Sequence, residues 1–518
     1  MGPLNRALTV VVLLLSSAAC SARRPPVAPP IPGSQPPIAE VAVDEAPRGP
    51  EIPLDFLGVS LEYGKNGALD SLGHPGSPNQ AYLQLLRNLG KGVIRIGGNS
   101  QDVACWSPSG MRPSEPGCRL PVSPEMLQAI FAASAQINWP VILGLNLARN
   151  DPAAVAELVS KGVLPNIGDG RLLALELGNE PDLFARHMTF SSPGSVPVTA
   201  RPTTYDLPQA EAEFLAHASA LWAIPTSRPA QPLPLAGPAF CCRWMDRLGT
   251  WLQDVSAKAP NRLALATTHH YPLNVCASNR PSNATYGSIP NLLAADTAAR
   301  WKRAFAAQVS QAAQSGSALR LAEGNSVACG GAAGVSDTFA SAVWALDWLF
   351  SLAQAGFSGV NLHGGGKGPY SPVAVSAEPA PTGGWTYADA PRPLYYALLL
   401  FAREAEGHRL ASATVNSESN VVAWAVTEGR TTRVFVLNKD LRAGGEVLVS
   451  TGRPSARASY QLLQAPSLDS TGRISFQGAA LDPATGKLTP PVPTPIAPDA
   501  AGRFRLPLPN ASVAVLTY

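Results

Sequence analysis

The chain has 518 residues, of which 46% are hydrophobic and only 14% are charged, and its formal net charge is +3 at pH 7. This length allows two to four domains, or equally one large domain with a smaller module, and the apolar fraction is ample for a sizeable core. Because the net charge is small and no run of lysines and arginines occurs, the composition gives no reason to expect a nucleic-acid-binding protein.

Residues 1–20 are predicted to be an export signal. Arg6 is the only early positive charge, and it is followed by an apolar stretch from Ala7 to Leu15 and by small residues. The apolar stretch is too short to span a bilayer. Cys20 comes directly after the small residues, as in a bacterial lipoprotein cleavage site, although Ser17 stands where leucine is usual. We therefore expect an exported protein, held by a lipid on Cys20 at the periplasmic or cell surface, or otherwise secreted.

Residues 21–50 form a proline-rich segment that is predicted to be a semi-rigid linker. At its end, apolar and polar residues alternate from Ile38 to Val43, which indicates an extra strand for the C-terminal domain. Six cysteines follow Cys20, and an even number in an oxidising compartment indicates disulfides. No two of them have the C-x-x-C spacing of zinc or redox sites. Cys105 and Cys118 are expected to close a short loop, whereas the sequence does not determine how the others pair.

From about residue 52, short apolar runs alternate with longer amphipathic segments. The runs predicted to be strands lie at residues 57–63, 92–98, 140–146, 172–180, 233–238, 263–272, 318–325 and 359–363. The segments predicted to be helices lie at residues 80–89, 125–137, 152–161, 211–223, 244–256, 292–314 and 338–356. About eight strand–helix units with polar residues at the strand C-termini predict an α/β fold, a (β/α)₈ TIM barrel over residues 51–390.

After Pro391 the pattern changes. One more helix is predicted at residues 394–404, and then apolar residues recur at every second position, for example in residues 421–426, 432–437 and 513–518. Short strands of this kind, separated by glycine, proline and aspartate turns, predict a C-terminal antiparallel β-sandwich domain over residues 391–518.

Two glutamates occupy similar places in the predicted barrel. Glu180 follows the fourth strand and precedes Pro181, which cannot continue the hydrogen-bond ladder of a strand, and Glu323 ends the seventh strand. Catalytic groups of such barrels lie at the C-terminal ends of the strands, so the two side chains would face each other across the mouth. Two such carboxyl groups are what glycoside hydrolysis requires. One protonates the leaving oxygen, and the other attacks the anomeric carbon or activates water.

The residues around both glutamates resemble known glycosidases. An Asn-Glu pair after strand four and a glutamate after strand seven resemble the large clan of retaining (β/α)₈ glycosidases. More narrowly, the sequence resembles glycoside hydrolase family 79, which contains β-glucuronidases and is related to heparanase. The matching segments are residues 321–326, 330–331, 334–342, 95–99, 268–272 and 393–397. The resemblance extends over about residues 50–518 and implies a C-terminal β-sandwich joined by N-terminal residues.

This resemblance implies roles for individual residues. Glu180 would be the general acid/base, and Glu323 would be the nucleophile. Asn179 would bind the sugar 2-hydroxyl, and Tyr271 would orient Glu323 by a hydrogen bond.

The resemblance also implies a site for a uronate carboxylate in the loop at residues 364–372. The hydroxyl of Tyr370 and backbone amides would hold the carboxylate there, and we add Lys367 as a further positive charge. Three more residues that end strands one, two and eight are predicted to line the sugar pocket, with structural hydrogen bonds in the barrel mouth as the alternative: Glu62, Asp102 and His363.

Other motifs are weaker. His363 begins a His-Gly-Gly-Gly run like that of lipases and esterases, but no serine lies in the G-x-S-x-G context that such enzymes need. The run is not followed by the Gly-Lys-Ser/Thr of a phosphate-binding P-loop. The pair His269-His270 has no suitably spaced partner for a metal ion. Because its neighbours His270 and Tyr271 alternate faces with it, we expect His269 to be structural, and we predict no metal or cofactor.

The sequence therefore predicts a retaining, exo-acting β-glucuronidase that acts on a glucuronic-acid-containing glycoside or polysaccharide. Three alternatives stay open. An endo-acting, heparanase-like enzyme would favour a basic cleft, against which the modest net charge argues. Another barrel glycosidase, namely a β-glucosidase, β-xylosidase or arabinofuranosidase, has the same two glutamates. A surface carbohydrate-binding protein without turnover would not need them.

Overall fold

The structure, a computed structural model, describes residues 36–518 except residues 65, 187–188, 191–197, 226–231 and 453–456. The predicted export signal with Cys20 and the first part of the predicted linker lie outside the described residues. Residues Pro37–Tyr518 form one compact unit. None of the described helices has both the length and the apolar composition that a membrane span requires.

Eight parallel strands close into a barrel in which each strand pairs with the next and the last pairs with the first. They are Leu57–Glu62 (β1), Val93–Gly97 (β2), Val141–Leu145 (β3), Leu172–Leu177 (β4), Leu235–Phe240 (β5), Leu263–His270 (β6), Leu319–Gly324 (β7) and Gly359–Gly364 (β8). Strand β2 is typical, because the branched side chains of Val93, Ile94 and Ile96 favour the extended conformation and are completely buried, as in a strand covered on both faces. The predicted TIM barrel is confirmed, and each strand overlaps its predicted run.

Eight helices follow the strands and cover the barrel. They are Gln80–Asn88 (α1), Pro124–Ile137 (α2), Pro152–Glu157 (α3), Leu207–Trp222 (α4), Leu248–Lys258 (α5), Ala295–Gln314 (α6), Phe339–Ala355 (α7) and Pro393–Glu404 (α8). The side chains of Asn79, Ser123 and Asp151 accept hydrogen bonds from N–H groups three residues on, which fixes where α1, α2 and α3 begin. A π-helical segment, Leu158–Val163, and the short helix Leu164–Asn166 extend α3. Helix α8 packs against α7, so the eighth βα unit ends beyond the predicted domain boundary at residue 390.

Shorter elements lie in the connections. The short helices are Ala68–Leu72, Gln101–Val103, Pro181–Leu183, Met245–Arg247 and Ile289–Leu293. The two-stranded ribbons pair Gly73–His74 with Ser77–Pro78, Ala104–Trp106 with Leu120–Val122, Thr189–Phe190 with Val198–Thr199, Leu273–Asn274 with Val327–Ala328, Val373–Pro379 with Trp385–Pro391, and Ala480–Leu481 with Leu488–Thr489. All but the last ribbon follow the C-terminal ends of barrel strands, where a TIM barrel places its functional loops.

Besides the barrel, the molecule contains a ten-stranded sheet. Its strands are Ala39–Glu51, Arg409–Asn416, Val421–Glu428, Thr431–Asn438, Gly445–Ser450, Ala458–Gln464, Ser475–Phe476, Thr494–Ile496, Arg503–Leu508 and Ser512–Thr517. Its two halves enclose a core that includes Val41, Val436 and Phe504, whereas Trp424 and Phe435 on the opposite face pack against α7 of the barrel. Pairing is antiparallel throughout except between Ala39–Glu51 and Gly445–Ser450, which run parallel.

A buried ion pair joins the sheet domain to the barrel. Lys439 donates a hydrogen bond to Asp347 of α7 at 2.7 Å, and neither side chain is exposed to solvent. Trp424 Nε1 donates to the same carboxylate at 3.2 Å, and Lys302 lies 3.4 Å from it. Burial opposes ionisation, but the charges of Lys439 and Lys302 hold the pKa of Asp347 below its usual range. The ion pair therefore stabilises the fold at pH values above the pKa that Asp347 has in the unfolded chain. This stabilisation is lost as the pH falls through the lower pKa that Asp347 has in the folded protein.

Lys439→Met is expected to destabilise the protein, because it removes the closest counter-charge of a buried carboxylate. Loss of one partner of a buried ion pair costs about 3–5 kcal/mol. Thermal unfolding followed by circular dichroism measures the change in Tm. The double variant Asp347→Leu/Lys439→Met is the matched control and should recover most of the loss, whereas an unchanged Tm for the single variant would contradict the expectation.

Three disulfides form among the six cysteines after Cys20. Cys105 pairs with Cys118, as predicted, and closes a loop after β2. Cys276 pairs with Cys329 and joins the loops after β6 and β7. The adjacent residues Cys241 and Cys242 pair with each other at the end of β5. All three disulfides lie in loops at the C-terminal ends of the barrel strands.

Candidate active site

The side chains of Glu180 and Glu323 face each other at the C-terminal end of the barrel. Glu180 follows β4, and Glu323 lies near the end of β7. One oxygen of each carboxyl group and one ring nitrogen of His269 all lie within 4.8 Å of one another. The side chains of Glu180 and Glu323 are 18% and 8% exposed. Both carboxyl groups therefore remain reachable from the mouth while most of the water around them is excluded.

Glu323 is held in its ionised form. Arg95 Nη1 lies 2.7 Å from its carboxylate, the Tyr271 hydroxyl donates to it at 2.8 Å, and His363 Nδ1 lies 3.7 Å away. Burial alone would raise the pKa of Glu323, but His363, His269, Arg95 and the Tyr271 hydroxyl outweigh burial and hold that pKa well below its usual range. Arg95 is the permanent positive charge among them.

Glu180 is in the opposite state. Its backbone has a left-handed conformation, with φ of 52°, and its N–H donates to the carbonyl oxygen of Ala239 at 3.2 Å. Burial and then the negative charges of Glu323 and Asp182 raise the pKa of Glu180 well above the ordinary value, and Arg95 offsets this only in part. Glu180 therefore keeps its proton at a higher pH than an ordinary glutamate does.

His269 contacts Glu180 directly, so the expectation that it is only structural needs correction. Its Nδ1 lies 3.0 Å from the Glu180 carboxyl group. Burial lowers the pKa of His269 to about 4, so the ring is neutral near pH 7 and acts as a hydrogen-bond partner rather than as a charge. The neighbouring His270 lies on the other face of β6, where it accepts a hydrogen bond from Trp348 Nε1 at 3.2 Å.

Arg95 donates several side-chain hydrogen bonds in a buried polar network that includes Glu323. Its Nε donates to Glu176 at 2.7 Å, its Nη1 donates to Glu323 at 2.7 Å and to Ser60 Oγ at 3.0 Å, and its Nη2 donates to Asn179 Oδ1 at 3.0 Å. Arg95 and Glu176 are completely buried. Neither residue has a role predicted from the sequence. The available signal was a charged residue inside an apolar strand run, which points to a paired group in the barrel interior.

Asp102 holds the backbone next to Glu180 in place through hydrogen bonds. Its carboxylate accepts the N–H groups of Asn179 at 2.8 Å, Leu147 at 3.0 Å and Ala148 at 3.2 Å. Burial outweighs these hydrogen bonds and raises the pKa of Asp102 to about 7. Because Asp102 is fully buried and both of its oxygens accept backbone N–H groups, the structure favours structural hydrogen bonds, the alternative given for this residue, over the predicted contact with a sugar. It instead connects the loops after β2, β3 and β4.

Glu62 and His363 lie beside Glu323 at the mouth. The Glu62 carboxylate accepts the N–H groups of Asn99 and Ser100, at 3.1 and 2.8 Å, and its side chain is 29% exposed. His363 Nε2 lies 3.7 Å from Glu62, and its Nδ1 lies 3.1 Å from Ser60 Oγ. Both residues are placed where a ligand between the two carboxyl groups would meet them, and their contact with a sugar stays a prediction.

Tyr370 also lies in this group of residues. Its ring centroid is 5.6 Å from that of His363 and 6.4 Å from that of Tyr271. Burial, followed by the charges of Glu323 and Glu62, raises the pKa of Tyr370, so its hydroxyl stays protonated and is a hydrogen-bond donor. Lys367 is exposed in the same loop, and its backbone carbonyl accepts a hydrogen bond from Arg392 at 3.0 Å.

The spacing of Glu180, His269 and Glu323 would also suit a metal ion. Arg95, however, lies 2.7 Å from Glu323, and its charge would repel a cation at this position. A protonated Glu180 beside an ionised Glu323 is the arrangement that the surrounding charges favour. The site can therefore combine a proton donor with a nucleophile.

Two relatives of the chain are named β-glucuronidase, and no family model matches it. The protein from Neurospora crassa is 25% identical over 373 residues, which cover 65% of this chain and 62% of that protein. The protein from Aspergillus niger is 24% identical over 461 residues, which cover 82% of this chain and 79% of that protein. The matched part of the chain thus spans less than two thirds of the length of the Neurospora relative.

Solved structures with the same fold include two barrel glycosidases. The 4-O-α-L-rhamnosyl-β-D-glucuronidase from Fusarium oxysporum 12S superposes with a TM-score of 0.70 and 18% identity, covering 92% of this chain and 100% of that chain. The GH51 arabinofuranosidase from Xanthomonas axonopodis pv. citri superposes with a TM-score of 0.66 and 13% identity, covering 92% and 99%. At these identities the two likenesses show the fold alone. With the two sequence relatives, they support the prediction that the chain is an enzyme of the glycoside hydrolase class.

Proposed function

We propose that the protein is a retaining, exo-acting β-glucuronidase related to glycoside hydrolase family 79. The observation that carries the proposal is that one oxygen of Glu180 and one oxygen of Glu323 lie within 4.8 Å of each other. Retaining glycosidases hold their carboxyl groups about 5–5.5 Å apart, whereas inverting enzymes leave about 6.5–9.5 Å for a water molecule. The opposite pKa shifts of the two groups assign the roles, with Glu180 as acid/base and Glu323 as nucleophile.

The reaction has two steps. In the first, the Glu323 carboxylate attacks the anomeric carbon, the bond to the leaving oxygen breaks, and Glu180 donates its proton to that oxygen. In the second, Glu180 removes a proton from water, whose oxygen attacks the anomeric carbon and displaces Glu323 from the ester. Asn179, fixed by Arg95 through its side chain and by Asp102 through its N–H, would bind the sugar 2-hydroxyl.

The loop at residues 364–372 supports a uronate as the sugar. Within the described part of the chain, no acceptor is found for the N–H groups of residues 366–368 and 370, and none for the Tyr370 hydroxyl. Arg392 donates to the carbonyl oxygens of Lys367 and Gly368, so these acceptors of the loop are already occupied. N–H groups without an acceptor in one short loop can bind an anion, and the carboxylate of a uronate is such an anion.

The proposal is tested with aryl glycosides that share one leaving group. We expect the β-glucuronide to be hydrolysed with a kcat/KM at least about 100-fold above that of the β-glucoside, since buried polar groups left unpaired by the wrong sugar cost several kcal/mol. Tyr370→Phe should reduce this preference by about 10-fold and leave β-glucoside hydrolysis nearly unchanged. NMR of the first-formed product should show the β-anomer. A preference for the glucoside would contradict the uronate assignment, and an α-anomer would contradict retention.

The same assays distinguish three alternatives. An arabinofuranosidase is favoured only by the fold shared with the GH51 enzyme, and α-arabinofuranoside in the substrate panel tests it. An endo-acting enzyme would release oligosaccharides from an internal position of a polysaccharide, whereas an exo-acting enzyme releases monosaccharide alone. A binding protein without turnover would hydrolyse none of these substrates.

A further inference from the structure

The disulfide between the adjacent residues Cys241 and Cys242 takes no part in the chemistry described above. It directly follows β5, whose C-terminal end opens at the barrel mouth. Cys241 is half-buried and Cys242 is exposed, so a dissolved reductant can reach this bond. Adjacent cysteines do not have the C-x-x-C spacing of common redox motifs, so the sequence pattern gives no sign of this pair.

The backbone around this disulfide holds Asp182. The N–H groups of Cys242 and Arg243 donate to one carboxylate oxygen of Asp182, at 2.9 and 2.7 Å. The N–H of Cys241 lies 3.4 Å from the other oxygen. Asp182 is completely buried, so these three successive N–H groups provide the compensation that its charge requires.

The same segment also reaches Glu180. Asp182 comes two residues after Glu180, and its charge is one of the causes that raise the pKa of Glu180. Two residues before Cys241, the carbonyl oxygen of Ala239 accepts the N–H of Glu180 at 3.2 Å. Residues 239–243 and residues 180–182 are thus joined from both sides, and a change in the backbone at the disulfide would be transmitted to Glu180.

We propose that the Cys241–Cys242 disulfide is a reducible element that positions Glu180 through Asp182, so that reduction lowers proton donation to the leaving group. This inference rests on the proposed function of Glu180 as acid/base. The bond closes a small ring around a single peptide unit, which restricts the backbone and keeps the three N–H groups directed at one carboxylate. Cys241 and Cys242 are positioning residues in this scheme and do not touch the reacting atoms.

Reduction by a dithiol balances as an exchange reaction. One thiolate of the dithiol attacks a sulfur of the Cys241–Cys242 bond, the second thiol resolves the mixed disulfide, and two cysteine thiols and an oxidised dithiol result. The two electrons and two protons come from the dithiol. The released segment gains backbone freedom, and the fixed hydrogen bonds to Asp182 are lost with it.

The test compares leaving groups before and after treatment with dithiothreitol. An alkyl β-glucuronide needs protonation of its leaving oxygen, whereas a nitrophenyl β-glucuronide needs it much less. We expect reduction to lower kcat/KM for the alkyl substrate by roughly 10-fold or more, as small misplacements of catalytic groups do, and to change kcat/KM for the nitrophenyl substrate little, because kcat/KM reports the step in which the leaving group departs. Cys241→Ser/Cys242→Ser should show the same loss without reductant and no further response to it. Alkylation and peptide mass spectrometry verify which thiols are free.

The matched control is Cys276→Ser/Cys329→Ser, which removes the other disulfide with an exposed cysteine and should respond to dithiothreitol as the wild type does. Free thiols at residues 241 and 242 with an unchanged kcat/KM for the alkyl substrate would overturn the inference. Equal losses for both substrates would also overturn it, because they would indicate general damage. If the oxidised wild type hydrolyses no glucuronide, the proposed function fails first, and the comparison is made on whichever glycoside it hydrolyses. If there is none, the inference falls with the role of Glu180.

Discussion

Glu323→Gln is expected to lower kcat for a nitrophenyl β-glucuronide by about 10⁴-fold or more, because an amide cannot form the glycosyl ester that splits the reaction into two steps. Glutamine has nearly the same size and can still accept the hydrogen bond of the Tyr271 hydroxyl, so the fold and sugar binding should persist. Steady-state kinetics measure the loss of turnover, and calorimetry with the product measures binding. A variant that keeps more than about 1% of the wild-type kcat would exclude Glu323 as the nucleophile.

Glu176→Gln is the matched control for this experiment. Glu176 also pairs with Arg95 at 2.7 Å, but it is completely buried in the barrel and cannot touch a substrate. Its substitution therefore perturbs the same guanidinium without removing a reacting group. We expect its kcat to fall far less than that of Glu323→Gln. Equal losses would show that the charge balance at Arg95, and not nucleophilic attack, explains the effect at Glu323.

Glu180→Ala is expected to lower kcat/KM by about 10²–10⁴-fold for substrates with poor leaving groups and much less for nitrophenyl β-glucuronide. The reason is that an activated leaving group departs without a proton. With the nitrophenyl substrate the second step becomes limiting, because no base activates water. Azide is a nucleophile that needs no base, so it should restore turnover and yield a β-glucuronosyl azide. An α-azide, or no rescue, would contradict the role of Glu180 in a retaining mechanism.

The pH profile of Glu180→Ala provides a second readout. In the wild type, kcat/KM should be high where Glu323 is ionised and Glu180 is protonated. The lowered pKa of Glu323 sets the acidic limb, and the raised pKa of Glu180 sets the alkaline limb. The alkaline limb should therefore disappear in Glu180→Ala. Glu62→Ala is the control, because it removes a carboxylate of the mouth that lies beside His363 and has neither proposed catalytic role, and it should keep both limbs and show no azide rescue.

The sequence predicts those parts of the fold and site that depend on local pattern. Each barrel strand is an apolar run with a polar end, and Glu180 and Glu323 were found because they stand at such ends. Arg95 and Glu176 were not found, because their pairing depends on which residues of β2 and β4 face the barrel interior, and this follows from the closed barrel rather than from either run. Asp102 has the expected place after β2, but its burial depends on the loops after β3 and β4 that close over it.

His269 and Tyr271 both point from the end of β6 toward the two carboxyl groups. Side chains alternate along a strand, so residues 269 and 271 share one face and residue 270 lies on the other. The assignment of Tyr271 to the site therefore already implied that His269 points to the same side. The structure places Tyr271 at Glu323, His269 at Glu180, and His270 against Trp348.

The double pairing of Arg95 has a consequence for the charge balance over a catalytic cycle. In the resting enzyme the guanidinium is shared between Glu176 and Glu323. When Glu323 becomes an ester, it loses its negative charge, and a buried arginine with no other partner would then be left uncompensated at a cost of several kcal/mol. Glu176 keeps the guanidinium neutralised at that stage. The buried guanidinium therefore keeps a counter-charge in the covalent intermediate, while the negative charge at the barrel mouth moves from Glu323 to Glu180.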